Sequence, residues 1–229
     1  MSLQKLIKEK EKNKKHFTWN GVEVWVRDEI TNTDISVNRV LKTIENKIPN
    51  HLMQNVDSIY IGQFKFLKDR NIQAMYENSS IFVTNAQDDE NDMADDIVHE
   101  IAHSVEEMHR DLIYSDGELE SEFINKRKHL YMLLKAEKLE VNLSDFTEPS
   151  YNKDFDEYLY TTVGYPMLRM VGSSIFYSPY AATSLREYFA NGFEAFYYFD
   201  DYDFIKKSCP KLFTKLYDLM EEEQNDYRY

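Results

Sequence analysis

The sequence predicts an α+β fold, with a small mixed or antiparallel sheet and one long helix in the first half and further helices in the second half. The segments typical of strands all lie before residue 86, and the later periodicity is helical. The 229 residues include only six glycines and five prolines, which is typical of a chain rich in regular structure. We find no internal repeat, so we expect a single domain over residues 16–229.

The start of the chain predicts a charged arm followed by a hairpin. Residues 1–15 contain six lysines and two glutamates, so we expect a charged N-terminal helix or arm with a charge of +4. Asn20-Gly21 then lies between two β-rich stretches, and this dipeptide is the strongest short signal for a hairpin.

One helix and three strands are predicted next. Apolar residues at helical spacing indicate a helix that is capped by Asp34 and ends before Pro49. Strand-like segments follow at SIYIGQFKF, IQAMYE and SSIFVTN, and the last two form a second hairpin. We expect SSIFVTN, residues 79–85, to be an edge strand of the sheet.

The second half is predicted to be helical. The helical segments are GELESEFINKRKHLYMLLKAEKLEV, two short helices in NKDFDEYLYTTVGYPMLRMVG, SLREYFANGFEAFYYF and CPKLFTKLYDLMEEE. The intervening SSIFYSPYAATS has no clear periodicity and is predicted to be irregular.

Charge and composition exclude several classes of function. The net charge of −14 repels phosphate backbones, so we expect no nucleic-acid partner. No apolar run reaches membrane-spanning length and no secretory signal follows the basic start, so we expect no membrane association. The single cysteine, Cys209, excludes an intramolecular disulfide and indicates a reducing compartment. We therefore expect a cytoplasmic protein, while secretion or delivery into a host cell as an effector stays open.

The segment MADDIVHEIAHSVEEMH predicts a helix that carries a metal site. His99 and His103 are four residues apart, so on a helix both imidazoles lie on one face and can bind one ion. Glu100 lies one step around the helix, where its carboxylate can reach a metal-bound water without binding the metal. This is the spacing of HExxH, which points to Zn²⁺ and a general base.

The alternative to a metal site is a helix without a catalytic function, whose two histidines pair with acids on a solvated face. A separate apolar stripe argues for a helix with one core face and one functional face. The stripe consists of Ile97, Ile101, Val105 and Met108.

A tetrahedral zinc site of this kind needs a third protein ligand, and the residues offer three candidates. His109 matches the spacing of HExxHxxGxxH, but Glu106 replaces the glycine that would turn the chain back to the metal. An acidic cluster follows, made of Glu118, Glu120 and Glu122. The third candidate is Glu187, a carboxylate on an aromatic-rich helix, where a buried charge needs a partner.

The segment Tyr180-Ala-Ala-Thr-Ser-Leu-Arg-Glu187-Tyr-Phe-Ala, followed by Phe193, resembles a known family. It is similar to the third-ligand helix of the anthrax lethal factor catalytic domain and its relatives, which include the Pro-Pro endopeptidases. The resemblance covers residues 97–105 and 180–220. It implies a zincin-like metallopeptidase fold with His99, His103 and Glu187 as zinc ligands, and with Tyr180 directed at the zinc-bound substrate.

The chain departs from the family in two places. His103 and Glu187 are 84 residues apart, more than in the family, which implies inserted helices over residues 110–175. The family often has an acid four residues after the glutamate ligand, where this chain has Asn191.

Together these features predict a zinc-dependent endopeptidase that acts on a protein or peptide substrate. Glu100 is expected to be the general base and Tyr180, by resemblance, to bind the oxyanion. The substrate is expected to pair with residues 79–85, and the acidic body favours a basic substrate segment. The alternative function is a catalytically inactive zinc-binding scaffold of the same fold.

Overall fold

The computed structural model describes residues 15–226 of the chain, with side chains up to residue 221. Its contacts divide the chain into two compact units, which meet in sequence between Met108 and His109. The predicted arm of residues 1–15 lies outside the described residues, except for Lys15, which begins the first strand. The single domain over residues 16–229 stays a prediction.

The first unit is built on a five-stranded mixed sheet. The strand order is β1-β2-β3-β5-β4, with β1–β2 and β4–β5 antiparallel and β2–β3 and β3–β5 parallel. The strands are β1 Lys15–Trp19, β2 Val22–Val26, β3 Ser58–Gly62, β4 Ala74–Glu77 and β5 Ser80–Thr84. This confirms an α+β chain with a small mixed sheet.

The first hairpin forms where the sequence predicts it. Asn20 and Gly21 both have a positive φ, at +49° and +85°, which a two-residue turn of type I′ requires at its two central positions. The turn sets the register that places Trp19 opposite Val22.

The first unit also has three helices, of which the third packs against β4 and β5 and the first packs against the third. These are α1 Val37–Glu45, α2 Lys65–Arg70 and α3 Glu90–Met108, with a short 3₁₀ turn at Asn50–Met53. The predicted cap at Asp34 is wrong, because α1 begins after Ser36, whose backbone is extended. Asp34 instead donates its N–H to the Asn32 side chain in the preceding turn, and the Ser36 N–H donates to the Glu90 carboxylate at 2.7 Å.

The predicted edge strand is also wrong. Strand β5 lies inside the sheet, between β3 and β4, so the edge is β4. The reason is the second hairpin: it folds β4 back along one side of β5, and the other side of β5 pairs with β3. Since Ile81 and Val83 are fully buried, β5 is suited to an interior position.

The second unit is helical, as predicted, and its helices include two that the sequence did not suggest. They are α4 Arg110–Tyr114, α5 Glu118–Ala136, α6 Lys153–Glu157, α7 Tyr165–Gly172, α8 Leu185–Phe193, α9 Tyr202–Ser208 and α10 Pro210–Asp226. Short 3₁₀ turns lie at Leu143–Phe146 and Tyr180–Ala182, and π-helical turns at Tyr158–Val163 and Glu194–Tyr198. Helices α4 and α9 were missed because they are only five and seven residues long.

Aromatic side chains form much of the core of the second unit. The largest buried ones are Phe123, Phe146, Tyr188, Phe189, Phe193 and Phe196. The abundance of phenylalanine and tyrosine therefore serves packing in this unit. Within the described residues, none of the helices has the length and apolar character needed to cross a membrane.

Candidate metal centre

Helix α3 carries the HExxH residues and begins where the acidic segment predicts. The Asp89 carboxylate accepts the N–H groups of Asn91 and Asp92, at 2.7 and 2.9 Å, and so caps the first turn. Ile97, Ile101 and Val105 are buried as the stripe predicts. The fourth member, Met108, is 50% exposed because the helix ends there, so its assignment to the core is wrong.

The two histidines of α3 lie side by side. Their ring centroids are 4.8 Å apart and the rings are nearly perpendicular. His103 is buried, and its Nδ1 lies 3.4 Å from the Glu106 carboxylate one turn further along. A carboxylate on Nδ1 orients the ring and leaves Nε2 for a metal ion. Sequence reasoning missed this role of Glu106, although its i+3 spacing from His103 was the available signal.

Glu100 is buried and is held by the edge strand. The backbone N–H of Tyr76, in β4, donates to Glu100 Oε2 at 2.6 Å. Asn55 supports this arrangement, because its Nδ2 donates both to Tyr76 Oη and to the Ser104 carbonyl of α3. A main-chain hydrogen bond therefore holds the carboxylate next to the two histidines.

A second carboxylate lies one turn before His99. Burial raises the pKa of Asp96 to about 6, and the negative charges of Asp92 and Glu100 act in the same direction. The Gln87 side chain opposes this rise in the pKa, since its Nε2 donates to Asp96 Oδ2 at 2.8 Å.

Glu187 lies in the first turn of α8, where two backbone N–H groups have hydrogen-bond acceptors outside the helix. The Ser184 hydroxyl accepts the Glu187 N–H at 3.2 Å, and the Pro149 carbonyl accepts the Leu185 N–H at 2.8 Å. A carboxylate in the first turn is also favoured by the helix dipole.

Tyr180 lies on the 3₁₀ turn just before α8. Burial raises the pKa of its phenol well above the ordinary value, and the negative charge of Glu187 adds to the effect. The phenol therefore stays protonated at neutral pH and can donate a hydrogen bond.

Asn191 holds the Tyr180 turn. The Ser178 hydroxyl donates to Asn191 Oδ1 and accepts the Ala181 N–H at 3.3 Å. Since Asn191 is buried, this contact ties the turn to the middle of α8. It gives the residue a structural role at the position where the family often has an acid.

Among the described residues, His99, His103 and Glu187 form a group that could hold a metal ion. Each offers one ligand atom, and these atoms all lie within 4.8 Å of one another. Two atoms bound to one zinc ion at about 2.0–2.2 Å are at most about 4.4 Å apart, which is close to this spacing. Two imidazoles and one carboxylate are also a donor set that suits zinc.

The other candidate ligands have different surroundings. His109 lies between α3 and α4, outside the metal-ligating group. Glu118 pairs with Lys211, and Glu122 accepts the N–H groups at the start of α10. Glu118 and Glu122 thus connect α5 to α10.

Comparisons of the chain with protein-family models, with curated proteins and with solved structures find no match.

Proposed function

We propose that this protein is a zinc-dependent endopeptidase with a zincin-like fold, related to the anthrax lethal factor catalytic domain. The observation that carries the proposal is the group His99, His103 and Glu187, with the buried Glu100 directly after the first histidine. The order HExxH followed by a distant glutamate supports a peptidase over other uses of a metal site, because it pairs three ligands with a base.

His99, His103 and Glu187 would hold the zinc ion, which supplies a water of lowered pKa and polarises a carbonyl group. Three protein ligands leave one position open, as in catalytic zinc sites. The His2Glu set therefore fits a catalytic ion better than a closed structural one.

Glu100 would accept the proton of the attacking water and pass it to the leaving amine. The Tyr76 N–H holds Oε2 of this carboxylate, which keeps the group in one orientation. The Tyr180 phenol would donate a hydrogen bond to the oxyanion that develops on the scissile carbonyl.

The substrate would pair with β4, the edge strand. The Thr84 N–H donates to the Gln73 carbonyl, so in the antiparallel register the backbone groups of Ala74 and Tyr76 face away from β5. The Tyr76 N–H is already used by Glu100, so an extended peptide could add to this edge at Ala74. The net charge of −14 favours a basic segment in the substrate.

The test combines metal analysis with a peptide-library digest. Glu100→Gln should retain zinc and lose cleavage by about 10²–10⁴-fold, since only the proton transfer is removed. His99→Ala should lose both zinc and cleavage. If the wild-type chain binds zinc and a protein partner but cleaves no peptide, the inactive scaffold is the correct function. If Glu100→Gln cleaves as fast as the wild type, Glu100 is not the base.

A further inference from the structure

We infer that helix α5 positions the third metal ligand, and that Tyr188 and Arg127 are the positioning residues through which it acts on Glu187. This inference rests on the proposed function. It assigns a role to the helices of residues 110–175, which the resemblance to the lethal factor family leaves unexplained.

The first contact is direct and enters α8 beside the ligand. The Tyr188 hydroxyl donates to Glu122 Oε1, on α5, at 2.8 Å. Glu122 also accepts the N–H groups of Lys211 and Leu212 at 2.8 and 3.2 Å, which fixes its carboxylate at the start of α10. Tyr188 is 1% exposed, and Glu187 is its neighbour in the chain. A shift at Tyr188 would therefore move the ligand.

The second contact is indirect and acts on α8 at Leu185, two residues before the ligand. Arg127, on α5, is 1% exposed and donates to the carbonyl groups of Glu148, at 2.8 Å, and Asp145. Glu148 is followed by Pro149, whose carbonyl accepts the Leu185 N–H at the start of α8. Arg127 thus holds the segment that caps the ligand helix.

The surroundings of Arg127 indicate a dedicated clamp. Its guanidinium lies 4.2 Å from the centre of the Phe155 ring and bonds to main-chain carbonyls. Burial lowers the pKa of Arg127 to about 10, so the group keeps its charge at neutral pH. A charged planar donor reaching two carbonyls fixes a loop more firmly than a lysine, which lacks the rigid fork.

The two contacts bracket Glu187 at Leu185 and Tyr188. Residues that orient a metal ligand typically change metal affinity by about 10–100-fold when they are mutated. We therefore expect Tyr188→Phe and Arg127→Lys each to weaken zinc binding by about 10–100-fold.

The experiment measures zinc affinity of the full chain by competition with a chromophoric chelator. Tyr188→Phe removes one hydroxyl and leaves Glu122 bonded to the two N–H groups of α10. The matched control is Tyr197→Phe, which also removes a buried tyrosine hydroxyl, in this case one that donates to the Leu216 carbonyl at 2.7 Å. Zinc affinity of Tyr197→Phe should equal that of the wild type.

A double-mutant cycle separates positioning from general packing. In a Glu187→Ala background, zinc can bind only weakly through His99 and His103, and Tyr188→Phe should not weaken this residual binding further, because the ligand through which it acts is gone. If it weakens binding equally in both backgrounds, or if the folded Tyr188→Phe chain binds zinc as tightly as the wild type, the inference is wrong.

Two other results would also bear on the inference. If Arg127→Lys does not fold, the Tyr188→Phe cycle decides the inference by itself. If the wild-type chain binds no zinc, the proposed function fails and the inference fails with it, whereas tight wild-type binding with an unaffected Tyr188→Phe variant overturns the inference alone.

Discussion

Replacement of Asp96 by asparagine should change how stability depends on pH. The pKa of Asp96 is raised from 3.8 to about 6 in the folded chain, so folding favours the protonated carboxyl. Stability from this group is fully present below about pH 4 and is lost as the pH rises through about 6. At about 1.36 kcal/mol per pKa unit, the loss amounts to about 3 kcal/mol.

The assay is urea unfolding of the metal-free chain between pH 4 and pH 8. Asp96→Asn keeps the shape of the side chain and an acceptor for Gln87, but it cannot ionise. The free energy of unfolding of the variant minus that of the wild type should therefore be about 3 kcal/mol larger at pH 8 than at pH 4. The exposed Asp69, on α2, offers a control that removes the same charge, and Asp69→Asn should show no such gain. A stability difference between Asp96→Asn and wild type that does not vary with pH would refute the reasoning.

Bound zinc should reduce the loss of stability that ionisation of Asp96 causes. The charge on His99 already lowers the pKa of Asp96, so a nearby divalent cation should lower it further. With zinc bound, the wild-type loss of stability should therefore be smaller and should occur at lower pH.

Three stability predictions can be checked by chemical or thermal unfolding. A Cβ on Gly192 would lie 2.9 Å from Leu212 Cγ, so Gly192→Ala should cost about 1–3 kcal/mol, and Leu212→Ala in the same chain should relieve the overlap. Ser184→Ala should cost about 0.5–2 kcal/mol through loss of the α8 cap, whereas Ser184→Thr keeps the hydroxyl and most of the stability. Gly21→Ala should cost about 1 kcal/mol or more because φ is +85° there. Wild-type stability in any of these alanine variants would contradict the physical reason given for that variant.

Local signals in the sequence predicted the elements that depend on nearby residues. Asn20-Gly21 specified the first hairpin, and the periodicity around His99 specified α3. The order of strands was not available in this way, because the pairing of β5 with β3 depends on contacts between residues far apart in the chain.

The site was predicted only in part from residue spacing. The helical repeat placed His99 beside His103, but three candidates for the third ligand stayed open: His109, Glu187 and the acidic cluster of Glu118, Glu120 and Glu122. The choice of Glu187 came from the resemblance to a family. Periodicity predicts which residues share a helix face, but it does not predict whether His103 and Glu187, 84 positions apart, come close in space. The capping of its helix through Pro149 had no sequence signal at all, since it uses a main-chain carbonyl.

The most direct test of the account is anomalous diffraction at the zinc edge from crystals of the zinc-loaded chain. The proposed zinc site should give one strong anomalous peak at about 2.0–2.2 Å from a ring nitrogen of His99, a ring nitrogen of His103 and a carboxylate oxygen of Glu187. A peak bound by other side chains, or no peak from protein soaked in excess zinc, would contradict it.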